Sequence, residues 1–304
     1  MIAFVRRCLP AMFSACLLIA PGMAHAADVA ASPASLVDPF VGTGDSPTGD
    51  TIDDFPGADV PFGMIQWSPD TTSRNEGGGY EYADTAITGF SLTHLSGPGC
   101  GAFGDFAFTP VAGMASDPLK TAQDFAHSSE QASPGWYAVT LGKPGVQVEL
   151  SVSKRTGIGR FTYPAGAPEH ILINASSDQA GVTNSAIRAI GPNSIEGSAT
   201  SGFFCSQPNT FKIYFAAAFD RPIVSSSVWN DGLQTGIDLS FDPSQSSEVT
   251  AHVATSYVSA EGARANLAAD RFGFDIGQMH AAAESAWDQS LSTIQIDGGS
   301  DVER

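Results

Sequence analysis

The chain has 304 residues, and its 14 Lys+Arg against 32 Asp+Glu leave a formal charge of −18. A polyanion needs a basic footprint on the protein that binds it, so nucleic acid is excluded as a natural partner. Hydrophobic residues at 42% and aromatics at 10% are enough for a buried core, and the charge is spread rather than blocked, so the chain is folded and not disordered.

Residues 1–26 read as a secretory signal peptide. Arg6 and Arg7 precede an apolar run through Met12, Phe13 and Leu17, and Ala24-His25-Ala26 supplies a small-residue cleavage site. The run is broken by Ser14 and stops at Pro21, short of the about 20 apolar residues a helix needs to cross a bilayer, so no membrane anchor is expected. Export to the periplasm, the cell surface or the medium follows. Losing Arg6 and Arg7 leaves 12 Lys+Arg against 32 Asp+Glu, a formal charge of −20. Cys8 and Cys16 leave with the signal, and Cys100 and Cys205 remain. In an exported chain these two form one bridge or stay as separate buried thiols, and a four-cysteine zinc site is excluded by count.

Residues 37–110 are unusually dense in Gly, Pro, Asp and aromatics. Asp38-Pro39-Phe40-Val41-Gly42-Thr43-Gly44 opens the stretch, followed by Phe55-Pro56-Gly57-Ala58, Val60-Pro61-Phe62-Gly63-Met64 and Ser68-Pro69-Asp70-Thr71. Gly77-Gly78-Gly79-Tyr80 comes next. Gly89-Phe90-Ser91 then leads into His94-Leu95-Ser96-Gly97-Pro98-Gly99-Cys100, with Gly104-Asp105 before Pro110. Glycine lets backbone approach a ligand or another strand, and proline stiffens irregular loops, so the stretch reads as an ordered binding-loop system.

Strand patterns dominate the middle of the chain. Val146, Val148, Leu150 and Val152 share one face; Gly157 and Gly159 interrupt; Phe161 and Tyr163 lead into Pro164. Ile171 and Ile173, then Phe211, Ile213 and Phe215, then Val249, Ala251 and Val253 repeat the alternation. Period two with turns between predicts a mainly β protein, a large antiparallel β-sandwich over residues 27–258, rather than βαβ units. A two-helix linker closes the chain at residues 259–304. Ser259 opens an Ala-rich helix running to about Phe272, and Asp275 caps a second in which Ile276, Met279, Ala283 and Trp287 recur at helical spacing. Ile294 and Ile296 then alternate as a short strand would. Two amphipathic helices without a third leave an apolar stripe to cover, and the chain is expected to stop short of a further helical domain.

Several motifs fail on inspection. Gly99-Cys100-Gly101-Ala102-Phe103-Gly104 matches a dinucleotide fingerprint by letter, but Phe106 to Pro110 reads as strand where that motif needs a helix. Asp45, Asp50, Asp53 and Asp54 lack the alternating spacing of a calcium loop and read as a solvated acidic turn. Asn174-Ala175-Ser176 is a glycosylation sequon inside an apolar strand.

The motifs of residues 37–110, in this order, resemble the N-terminal domain of glycoside hydrolase family 92, the exported bacterial calcium-dependent α-mannosidases. The likeness continues through Gly157-Ile158-Gly159-Arg160-Phe161, Gly202-Phe203-Phe204-Cys205 and the helix of Trp287. The resemblance implies a β-sandwich, a helical linker and an (α/α)6 catalytic domain, the last supplying the general acid, the general base and most calcium ligands. This chain would then carry no catalytic or metal-ligating residue of its own, and would be inactive alone. The family's loops on the sandwich reach the substrate, an α-mannoside of a glycan, and the corresponding residues here are Gly78, Gly79, Tyr80, His94, Ser96, Gly97, Gly99 and Cys100. His94 either bonds a sugar hydroxyl or is a buried histidine satisfied by backbone. Asp70 and Asp105 either accept from hydroxyls or shape turns. Pro98 replaces a threonine of many members, and Ser73-Arg74-Asn75-Glu76 replaces a tryptophan of the α-1,2-active ones; Arg74 joins the candidate substrate residues, and linkage preference is not inherited. Cys100 and Cys205 each stand in a family motif, so a bridge or close contact between them is expected. The rival is a stand-alone carbohydrate-binding or structural sandwich module, against which the apolar stripe of Ile276, Met279 and Trp287 argues.

Overall fold

The computed structural model describes residues 32–44, 53–73, 76–115, 117–143, 145–296 and 298–303. The signal segment 1–26, Asp45, Asp50 and Arg74 lie outside them. Strands β1 (Ser68–Thr71), β2 (Ala86–Ser91), β3 (Ala107–Ala112) and β4 (Gln123–Asp124) come first. They are followed by β5 (Gln131–Ser133), β6 (Trp136–Leu141), β7 (Val146–Val152), β8 (Thr156–Thr162) and β9 (Glu169–Asn174). Then come β10 (Asn184–Gly191), β11 (Ser194–Gly202), β12 (Thr210–Phe219), β13 (Ser225–Asp231), β14 (Gln234–Phe241) and β15 (Glu248–Ser256). Helices α1 (Ala260–Ala269) and α2 (Ile276–Leu291) end the order.

The strands form two sheets. One runs β1-β2-β3-β9-β14-β13, with β4 also paired to β2, and the other runs β10-β11-β12-β15-β8-β7-β6-β5. Every pairing is antiparallel. The fold is therefore mainly β, as the alternation predicts, and the inward faces of the two sheets close one core. Val146, Val148, Leu150 and Val152 all point into it, while Gln147 and Glu149 point out.

Gly157 and Gly159 are not an interruption: they lie inside β8, on the face that meets Trp67. A Cβ at Gly159 would come 2.6 Å from the Trp67 ring, and one at Gly157 would come 2.9 Å from it. The two missing side chains make a slot for the largest residue of the core. Trp67 is fully buried there, and its indole N–H donates to the Phe90 carbonyl at 3.1 Å. That bond satisfies the ring's polar atom at depth.

Both helices are capped, the second by the residue read from sequence. The Ser259 side chain accepts from the Gly262 amide, and the Asp275 side chain accepts from the Gln278 amide. The expectation of an open apolar stripe is corrected: Ile276, Met279 and Ala283 are buried against the outer face of the eight-stranded sheet, with Ile158 and Gly135 among their neighbours. Sheet and helix together bury the stripe without a third helix. Trp287 is half-buried and donates its indole N–H to the Asp59 carbonyl at 2.9 Å, tying α2 to the loop before β1. Residues 294–296 form no strand, and Ile294 is 76% exposed.

Gly159→Ala should destabilise the chain by about 1–3 kcal/mol through overpacking against Trp67. Urea unfolding followed by tryptophan fluorescence measures this, and an unchanged midpoint would show that the slot has slack. Burial pushes the Asp59 carboxyl up from 3.8 to about 6. Between those pH values the unfolded chain has released a proton that the folded chain retains, so this group makes stability fall as pH rises from 3.8 to 6. Asp59→Asn should flatten that part of the pH–stability profile, which thermal unfolding at successive pH values would show.

Candidate functional site

The loops singled out in the sequence gather at one end of the sandwich. Gly77 donates its amide to Gln179 Oε1 at 2.9 Å, and Gln179 donates its own to the Phe103 carbonyl at 2.8 Å. Leu95 donates to the Gly77 carbonyl at 3.0 Å, and Gly97 donates to the Asp53 carbonyl at 2.9 Å. Cys100 and Cys205 are disulfide-bonded with Cα atoms 5.2 Å apart, which joins residues 95–104 to residues 203–209 across a sequence separation of 105. Strain accumulates here. Among the described residues, five of the six non-glycine residues with positive φ are Phe103, Phe106, Phe203, Cys205 and Ser206. Side chains resist the left-handed region, so such a cluster persists only where surrounding bonds over-determine it.

The site has an inner layer without solvent. His94 is 3% exposed; its Nδ1 lies 2.8 Å from the Gln66 carbonyl and its Nε2 lies 3.2 Å from Ser91 Oγ. A carbonyl only accepts, so Nδ1 carries a proton. Asp70, 2% exposed, takes the Ser91 amide on Oδ2 at 3.1 Å and sets Oδ1 3.4 Å from His94 Nε2. The three residue types of a hydrolytic triad meet here, but not in a triad's geometry. Ser91 and Asp70 share one ring nitrogen, backbone occupies the other, and Ser91 is fully buried.

Gly78 and Gly79 seal this layer. A Cβ on Gly79 would come 2.8 Å from Asp70 Oδ1 and 3.0 Å from His94 Nε2, and one on Gly78 would come 2.6 Å from the Asp53 and Asp54 carbonyls. Pro98 closes over the same segment, its Cγ only 1.9 Å from where a Gly77 Cβ would stand. The ring that replaces a hydroxyl thus packs on glycine.

Tyr80 is fully buried and faces the core, not the loop surface. Its hydroxyl donates to both carboxylate oxygens of Glu130 at 2.9 Å. Tyr137 donates to Glu130 at 2.6 Å, and His127 Nδ1 lies 2.8 Å from it. Burial, then the Glu130 charge, pushes the hydroxyls of Tyr80 and Tyr137 well above the ordinary tyrosine range. Asp105 is likewise committed, accepting from Thr93 Oγ1 at 2.9 Å and Ser201 Oγ at 2.5 Å.

The outer layer is what a ligand would meet: Ser96, Gly97 and Gly99 are exposed, Cys100 is half-buried, and Phe204 and Cys205 are exposed across the bridge. The structure therefore brings the candidate residues together as two layers. Asp70, Gly78, Gly79, Tyr80 and His94 lie beneath; Ser96, Gly97, Gly99 and Cys100 lie on top. Sequence reasoning missed Gln179 and Glu130 and misread Asp53. Asp53 is 4% exposed rather than a solvated turn residue, and burial, then the Glu76 charge, raises its carboxyl above the usual range. Only Gln179 had a signal, the turn-forming Asp178-Gln179-Ala180-Gly181.

A family model described as the glycosyl hydrolase family 92 N-terminal domain matches residues 36–256. The chain belongs to that family. It is similar to the solved family 92 α-mannosidase BT3965 of Bacteroides thetaiotaomicron, with 31% identity and a TM-score of 0.75 over 86% of this chain and 38% of that one. A second structure of BT3965, in complex with mannoimidazole, aligns at 31% identity and a TM-score of 0.73, over 86% of this chain and 37% of that one. A protein of Arthroderma benhamiae described as an uncharacterized secreted glycosidase is 25% identical over 284 residues, 81% of this chain and 37% of that protein. The chain thus spans somewhat over a third of the length of each. Calcium dependence belongs to the family reading, yet among the described residues no group of three or more His, Cys, Asp or Glu side chains converges to hold a metal ion. These described loops therefore offer a calcium ion no cluster of carboxylates. No helix among the described residues is long and apolar enough to cross a membrane.

His94→Ala should lower unfolding free energy by about 1–3 kcal/mol, because the half-buried Gln66 carbonyl loses its donor. Ser96→Ala, at the exposed layer, should stay within about 0.5 kcal/mol. Paired urea titrations compare them, and an unaltered His94→Ala midpoint would mean that the ring is not structural.

Proposed function

We propose that this chain is the substrate-facing N-terminal domain of an exported α-mannosidase-like glycoside hydrolase that acts on α-mannosides of glycans. Its outer loop layer forms one wall of the sugar site, and a helical (α/α)6 domain supplies the general acid, the general base and the calcium ligands. The observation that carries this reading is the family match across residues 36–256, joined to 31% identity with an α-mannosidase. Residues 1–26 direct export, in keeping with the secreted relative.

The chemistry assigns the loops a binding role. Glycoside cleavage needs one carboxyl to protonate the leaving oxygen and a second on the opposite face, about 6.5–9.5 Å away when the mechanism inverts. Asp70 and Asp105, the acids of the predicted site, are buried and hold the loops together. What the outer layer offers a neutral sugar is backbone polar groups, the Ser96 hydroxyl and the Phe204 ring, a set that orients without transferring protons.

One observation favours the stand-alone module: the sandwich itself covers Ile276, Met279 and Ala283 of the apolar stripe of α2. The two readings part in an aryl α-mannoside assay with calcium present. The 304-residue product alone should match the buffer blank, and a compatible family 92 barrel should restore turnover under the first reading but not under the second. Turnover by the chain alone, abolished by changing an acid within residues 27–304, would overturn the assignment of catalysis to another domain.

A further inference from the structure

Away from the loop end, a cleft of about 710 Å³ opens where the turn between α1 and α2 overhangs the outer face of the eight-stranded sheet. One wall is aromatic. Trp136 of β6 is stacked on His280 of α2, with ring centres 5.6 Å apart and planes 16° from parallel, and Phe272 and Phe274 come from the turn. Phe274 is 40% exposed. The floor is polar: Glu149 of β7 and Arg160 of β8 are cross-strand partners, and the Arg160 Nη2 and Nε lie 2.5 Å and 2.7 Å from Glu149 Oε2.

The floor pair carries no net charge, and its side chains remain about a third exposed. Donors and acceptors are thus offered to a ligand without an excess of positive charge to hold an anion. Anions are opposed further by Glu248, 3.8 Å from Arg160, and by Asp275 at the mouth. A purely apolar occupant would strip water from Glu149 and Arg160 without replacing it, which is costly. A sugar ring meets both demands, laying its C–H face on aromatic rings and turning its hydroxyls to the carboxylate and guanidinium.

We propose that this cleft is a saccharide-binding site separate from the loop end. Residues 95–104 and 203–209 contribute nothing to its lining. It does not depend on the catalytic reading, because a stand-alone module would carry it equally.

The test is titration of the 304-residue protein with methyl α-mannoside, mannotriose and cellotriose, followed by calorimetry and tryptophan fluorescence. At least one sugar should bind saturably and perturb Trp136 emission, and Trp136→Phe should remove the fluorescence change. Phe274→Ala should weaken binding about tenfold, the loss of one stacking face with its contact area. Gly277→Gln supplies a second variant for the case in which Phe274→Ala misfolds. A Cβ at Gly277 meets only Asp275 Oδ1, at an ordinary 3.4 Å, so the longer side chain enters the cleft mouth while the helix stands. It should abolish binding with an unchanged melting temperature, and Val228→Ala, on the exposed terminal strand of the other sheet, should leave binding as it was. The proposal is overturned if no sugar saturates up to about 50 mM, beyond the millimolar range of weak sites. It is overturned equally if binding survives both cleft variants, or if only Val228→Ala reduces it.

Discussion

The loop end depends on the absence of two side chains. Gly78 and Gly79 lie so close to the Asp53 and Asp54 carbonyls, to Asp70 and to His94 that a single Cβ on either would intrude below 3 Å on one of them. Gly79 also holds a φ of +72°, which an L side chain resists. From that contact the rest follows: the Gly77 carbonyl is placed to accept from Leu95, the Gly77 amide reaches Gln179, and Pro98 folds down over the same segment. The loops are stacked backbone on backbone, with titratable groups sealed underneath.

The sandwich holds this end by the same device at a larger scale. Gly157 and Gly159 admit the Trp67 indole against β8, and the strand that follows Trp67 carries Asp70 to His94. On the other side of the loop, Glu130 gathers Tyr80, Tyr137 and His127, so the residue after Gly79 is pinned to the core by a charged acceptor. Hydrogen bonds to a charged partner are about twice as strong as neutral ones, which suits an anchor that must keep a strained turn in place.

The period of the hydrophobic pattern made the sheets legible, since Val146, Val148, Leu150 and Val152 announce a face that needs nothing beyond its own strand. Helix caps were equally local: Ser259 and Asp275 bond amides three residues on. What could not be read depends on partners remote in sequence. The glycines of β8 look like a break until Trp67, some 90 residues earlier, is laid against them. The stripe of α2 looks open until β8 lies beneath it, and the alternation of Ile294 and Ile296 looks like a strand although none forms there. In the candidate site the motif order pointed to loops that the fold gathers at one end but not to their depth, because Tyr80 and His94 carry the same polar atoms whether they face sugar or core.

That difference in depth decides what the residues can do. A side chain that positions a ligand must offer an unspent donor or acceptor at the surface. His94 has its proton on Nδ1 directed at Gln66 and its other nitrogen held between Ser91 and Asp70, while Tyr80 spends its hydroxyl on Glu130. Both therefore shape the backbone above them and not the exposed surface itself. On the proposed reading the groups left to touch a sugar are those that the disulfide and the left-handed residues hold in place, from Ser96 to Cys100 on one loop and from Phe204 to Ser206 on the other. Rigidity of that kind favours binding, because little conformational freedom is lost when a ligand arrives. A wall so built, with Asp70 and Asp105 buried beneath it, suits the recognition role proposed for these loops.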